Sequence, residues 1–195
     1  MVLPIAYYGN PVLRRDGDRV ECITPELEQL IGDMFETMAA HSGIGLAAQQ
    51  VGRALQLSVI DIRPATERPS TAERDGVPVD PADLMPLVLI NPEVTPLPDA
   101  GEESGSEGCL SFPEVYGPIV RPERVAVKAT GAKGEKVEFV CGGLLARCVQ
   151  HECDHLRGIL FIDRMDAQTK KELKEDIYRI QQETKAAQRR ARYEA

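Results

Sequence analysis

With 195 residues, 43% of them hydrophobic and 28% charged, the chain has a globular composition and the length for one domain, expected over 1–195. A formal charge of -8 argues against nucleic acid as a direct ligand, since phosphate contact needs a basic surface, and no run approaches the ~18 apolar residues of a membrane span. The start MVLPIAYYGN has neither the basic nor the apolar features of an export signal, and the five cysteines fall at irregular spacing, so reduced thiols in a cytoplasm are expected.

In chain order, the first predicted helix is TPELEQLIGDMFETMAAHSG. Thr24 is its expected N-cap and Pro25 suits its first turn. Leu27, Leu30, Ile31, Met34, Phe35 and Met38 form an apolar stripe at helical spacing, and Gly43 and Gly45 end the pattern. LQLSVIDI (55–62) reads as a strand. Residues 63–86, with five prolines and many charges, read as a surface insertion. LVLINPEV resumes strand character, and RVAVKAT and EKVEFVC flank GAKG as a predicted β-hairpin. A second helix is expected over roughly 143–156, stopping near Gly158, and a third from about Asp166 with Leu173, Ile177 and Ile180 on one face. Its apolar stripe fades beyond residue 184, so 184–195 is expected to fray as a helical tail. Strands and helices do not alternate regularly, which favours an α+β fold with mixed or antiparallel sheets.

QHECDH (150–155) holds two of the three histidines in an H-E-x-x-H pattern. Residues four apart on a helix lie about 40° apart and one turn along, so His151 and His155 share a face and can converge on one cation. Glu152, about 60° from His155, can reach a metal-held water without being a ligand. Two surface histidines four apart by chance are the bland alternative, but the predicted helix otherwise faces a core. A catalytic metal usually takes three protein ligands plus water. No third histidine follows closely, and Glu172, Glu175 and Glu183 sit in the pattern of a solvated helix face. Upstream, SEGCLSFPE places Cys109 among small and polar residues, with Gly108 before it allowing close backbone approach. Its thiolate would complete a Cys-His-His set suited to Fe(II) or Zn(II). Cys22 and Cys141 read as buried small hydrophobes.

GIGLAAQQ (43–50), EGCLS (107–111) and QHECDHLRG (150–158), in this order and at these separations, closely resemble the peptide deformylase family over roughly residues 3–165. The resemblance implies sheets around a central metal-binding helix, with a helix at each end of the chain. It implies a bacterial, cytoplasmic enzyme that removes the formyl group from the N-formylmethionine of nascent proteins. Cys109, His151 and His155 would be the metal ligands, Fe(II) the usual native ion, and Zn(II), Ni(II) or Co(II) able to replace it. Metal-bound water or hydroxide would be the nucleophile and Glu152 the general base and acid. The Gln50 side-chain amide and the Leu110 backbone N–H would hold the oxyanion. Leu144 and Cys148, at i−7 and i−3 from His151, would wall a methionine slot with Ile44, while Gly43, Gly45 and Gly108 would hold the substrate backbone; without the resemblance, Leu144 and Cys148 fit a plain core equally well.

Where several relatives carry an aliphatic residue this chain has Arg147, expected to snorkel to the pocket rim. Tyr116 stands where some relatives of that family have a basic residue near the entrance. The family's layout implies a structural role for Asp154, a buried ion pair with Arg121. The basic tail KAAQRRAR has ribosome contact as its alternative to fraying. Two competing readings remain open at this point: a peptidase cutting internal bonds, with its third ligand downstream, and a metal-stapled binding module, whose fourth ligand could only be Cys153, about 200° around the helix from His151.

Overall fold

A computed structural model describes residues 1–193. Helix α1 (Pro25–Ala40) begins where Thr24 accepts a hydrogen bond from the Leu27 N–H at 3.3 Å, with Pro25 in the first turn. Its stripe buries Leu27, Ile31, Met34 and Met38, with Leu30 and Phe35 half-buried beside them. The chain then runs through β1 (Gly45–Ala47), a 3-10 turn at Ala48–Val51, and β2 (Leu57–Ile60).

The segment 63–86 carries more regular structure than its composition suggests. It holds β3 (Ser70–Arg74), β4 (Val77–Val79) and a 3-10 turn at Pro81–Leu84. Short strands at the margin of the sheet, with β4 its edge and β3 next to it, need only a few inward apolar groups. Ala72 from the strand, followed by Leu84 and Met85, supplies them, which leaves the stretch reading as polar.

β5 (Leu87–Pro96) follows, then β6 (Glu102–Cys109) and β7 (Phe112–Pro122), then the hairpin of β8 (Arg124–Thr130) and β9 (Lys136–Gly142). Gly134, at φ 82°, lets the GAKG connection turn. The larger sheet has the order β1-β2-β5-β8-β9-β3-β4, while β6 and β7 pair with each other in a separate ribbon; every pairing between these strands is antiparallel.

Helix α2 (Gly143–Leu156) packs against strands of both sheets, and its chain turns away at Gly158. Leu145 and Leu156 are fully buried, worth ~1.5–3 kcal/mol each in transfer free energy. After a short α3 (Phe161–Arg164), Asp166 caps α4 (Ala167–Glu172) by accepting from Thr169 N–H at 2.9 Å. The chain reinitiates as α5 (Lys174–Tyr193), and Leu173, Ile177 and Ile180 dock on the β6–β7 ribbon and α3. The helix runs on through most of the expected frayed tail; residues 194 and 195 of that tail lie outside the described residues. The architecture is α+β, with antiparallel sheets and a helix toward each end. No helix among the described residues is long and apolar enough to cross a membrane.

Candidate active site

The site is built where α2 meets the tip of the β6–β7 ribbon. Helical spacing sets His151 and His155 side by side on α2, with ring centroids 5.0 Å apart and the rings edge-on at 68°. The ribbon turns at Leu110 and Ser111, and this tight turn delivers Cys109 to the same place, its Sγ 3.3 Å from His155 Nε2. The donor atoms of Cys109, His151 and His155 all lie within 4.8 Å of one another. A thiolate with two imidazoles suits Fe(II) or Zn(II), and three protein donors are the number a catalytic metal keeps beside a water. The residues present therefore fit a metal.

Among the described residues this group gains no fourth protein donor. Cys153 is buried in the core between α2 and the larger sheet, where desolvation pushes its thiol up to about 12. Glu172, Glu175 and Glu183 are exposed on α4 and α5. Both competing readings thus lose the ligand each requires.

Electrostatics prepare the two imidazoles differently. Burial, reinforced by the positive charges of His151, Arg121 and Arg14, pushes the His155 pKa well down, which keeps its imidazole neutral, the form that can bind a metal. Burial also opposes a proton on His151, but the hydrogen bonds with Cys109 and Glu107 more than offset it and raise that pKa. His151 Nδ1 lies 3.0 Å from Glu107 Oε2. With Nδ1 engaged by Glu107, Nε2 is the ring nitrogen left for another partner, the way a carboxylate orients a histidine beside a metal. Glu107 stays ionised: desolvation would raise it, yet Arg121 and His151 hold it well below the usual carboxylate range.

Sequence reasoning passed over Glu107. On a strand, residues two apart share a face, so a carboxylate two positions before Cys109 had to point the same way. The strand itself went unrecognised, and with it that direction.

Glu152 is 3% exposed, and its Oε2 has no hydrogen-bond partner among the described residues. Burial lifts its carboxyl to about 7, with His151 opposing the shift and Glu107 adding to it. Gly45 passes so close that a Cβ there would lie 2.3 Å from Glu152 Oε1 and 2.8 Å from Cys148 Sγ, so only glycine fits. Gln50 is held by its own Oε1, which accepts the Ala47 N–H at 2.8 Å. That bond fixes the amide's orientation and aims Nε2 at the site, 3.4 Å from Cys109 Sγ and from Ser111 Oγ.

A cleft of about 590 Å³ opens over these groups, within the range of small-ligand sites. Its walls bring together Ile44, Leu144 and Cys148, and Gly43, Gly45, Gly108 and Leu110 line it as well. Tyr116 is exposed at the mouth and lies so near Gly108 that a Cβ there would meet its ring at 2.5 Å. Asp154 forms the expected buried pair with Arg121, at 2.8 Å, and also binds Arg164. Arg147 departs from expectation: it is buried instead of snorkelling, because Glu107 and two strand carbonyls meet its guanidinium beneath the cleft.

The family model described as Polypeptide deformylase matches residues 2–171. A peptide deformylase of Opitutus terrae is 45% identical over 188 residues, covering 96% of this chain and 97% of its own. One from Methylacidiphilum infernorum is 42% identical over 180 residues, 92% of this chain and 93% of its own. Among solved structures, a Synechococcus elongatus peptide deformylase in complex with actinonin aligns with a TM-score of 0.75 at 41% identity, over 89% of this chain and 85% of that one. The Legionella pneumophila peptide deformylase aligns with a TM-score of 0.76 at 36% identity, over 97% and 99%.

Proposed function

Because this chain belongs to the polypeptide deformylase family, it is a metal-dependent hydrolase that releases formate from N-formylmethionyl peptides, and we propose that Cys109, His151 and His155 hold its metal. The convergence of those three donor atoms beside the buried Glu152 is the observation that carries the assignment. Fe(II) is the proposed native ion, with Zn(II), Ni(II) or Co(II) as substitutes. When bound, such an ion polarises a carbonyl and lowers the pKa of a water.

The chain's own residues divide the remaining work. Ile44, Leu144 and Cys148 surround the methionine side chain, and the extended Gly43–Gly45 stretch pairs with the peptide backbone as an added strand would. Water adds to the formyl carbon while Glu152 takes its proton, and the C–N bond then breaks as Glu152 passes that proton to the departing amine. A carboxyl near 7 can serve in both directions at neutral pH. The Gln50 amide and the Leu110 N–H donate to the oxygen that gains charge.

Formyl-Met-Ala-Ser should release formate stoichiometrically, while unformylated Met-Ala-Ser stays intact. Cleavage of an internal bond in the unformylated peptide would reject the assignment. Gln50→Glu keeps the acceptor for the Ala47 N–H but removes the donor, so kcat should fall ~10²–10³-fold with metal content unchanged.

In the bacterial cytoplasm, the proposed setting, nascent chains are met at the ribosome. Exposed Lys185, Arg189 and Arg190 give the end of α5 the charge to meet it. Deleting residues 182–195 should abolish cosedimentation with ribosomes and leave formate release from free peptide intact. Cosedimentation that survives the deletion excludes α5 as the anchor.

A further inference from the structure

Arg147 sits on α2 one turn before His151 and is 5% exposed. Its Nη1 donates to Glu107 Oε1 at 2.9 Å and to the Ile119 carbonyl at 2.8 Å; its Nη2 donates to the Glu103 carbonyl at 2.9 Å. Glu103 and Glu107 lie on β6 and Ile119 on β7, with Gly105 facing Ile119 between them. Gly105 supplies the room, since a Cβ there would stand 2.8 Å from the guanidinium carbon. An arginine from the helix that carries both histidines is thus seated in the ribbon that ends in Cys109. The carboxylate it grips with one oxygen holds His151 Nδ1 with the other.

A second tie joins the same two elements. Arg121 of β7 binds Asp154 of α2 at 2.8 Å, about two turns farther along the helix. Between them Gln150 of α2 donates to the Pro122 carbonyl of β7 at 3.0 Å, and Arg147 makes the contact nearest the start of the helix. We propose that Arg147, seated over Gly105, is a positioning residue for the metal centre, fixing α2 against the ribbon so that the cysteine sulfur and both imidazoles meet at one point. The proposal rests on the reading of Cys109, His151 and His155 as metal ligands.

Two substitutions disturb this contact by opposite routes. Arg147→Met removes the guanidinium and keeps an apolar stem. Gly105→Ala keeps every charge but places a methyl where the guanidinium lies, so the arginine must move. Each variant is loaded with Co(II) for its visible spectrum and with Zn(II) for competition against a chelator, and thermal unfolding of the metal-free protein is recorded alongside. Arg147→Met should weaken Zn(II) binding 10–100-fold, the range typical of partners that orient a ligand. Its cobalt bands should also shift. Gly105→Ala should change both readouts in the same direction, and it decides the matter where Arg147→Met fails to fold.

A merely structural arginine would lower the unfolding temperature and leave affinity and spectrum native well below it. That result overturns the proposal. A wild-type protein without thiolate-to-cobalt absorption would defeat the metal reading and the proposal together, and it shows before any substitution is made.

Discussion

Replacing Glu152 by alanine should leave one equivalent of metal bound and cut kcat by ~10²–10⁴-fold, the range that a positioned general acid–base contributes. The two halves of this expectation have separate causes. The metal half follows from geometry: the converging donors are Cys109, His151 and His155, and Glu152 is not among them. The turnover half follows from environment. Glu152 lies 3% exposed against Gly45, and burial lifts its carboxyl to about 7, so it can accept a proton from water and return it to an amine. Oε2 has no hydrogen-bond partner among the described residues, so the substitution breaks no such bond at that oxygen and the fold should hold. Glu152→Gln, which keeps the volume and loses the titrating group, should be as impaired as the alanine variant. Metal analysis, a formate assay and circular dichroism on the same samples check the three parts. Near-normal turnover in both variants would remove Glu152 from the chemistry.

How far the chain could be read in advance depended on how far apart the cooperating residues lie. His151 and His155 are neighbours on one helix, so their spacing alone set their geometry. The stripe from Leu27 to Met38 and the GAKG hairpin are local in the same way, and both elements formed where their patterns placed them. The β6–β7 ribbon was not legible. EESGSEGC contains no β-branched or aromatic residue, and it is extended because FPEVYGPIVRP lies beside it. That one unrecognised strand hid three things at once: the direction of Glu107, the seat of Arg147 over Gly105, and the turn that aims Cys109. Arg147 shows the physical reason most plainly. An arginine in a sequence reads as solvent-bound until a buried carboxylate and two strand carbonyls are known to meet it, and those come from positions 103, 107 and 119. Cys109 itself was found by its motif and not by its distance from His155, which no periodicity encodes.

Cys109→Ala is the second decisive substitution, and it should lower metal affinity more than the 10–100-fold expected of any outer partner. The protein should still fold, because the ribbon tip is held by the pairing of β6 with β7 and by packing of Phe112 and Val115, not by the sulfur. Folded protein without metal would show the loss as a fall in unfolding temperature relative to the loaded wild type, since a ligand that binds only the native state stabilises it in proportion to the logarithm of one plus the ratio of its free concentration to Kd. The metal-free forms of the two proteins should unfold within a few degrees of each other. Cys148→Ala is the control that makes the result specific. Cys148 is the other sulfur lining the cleft, buried and 3.7 Å from the Ile44 carbonyl, and it stands outside the donor group. Its removal should spare metal binding and change the KM for formyl-methionyl peptides instead, through the slot it walls. Equal metal affinity in Cys109→Ala and wild type would mean that the two imidazoles have some other partner, and the catalytic assignment built on this site would fall with it.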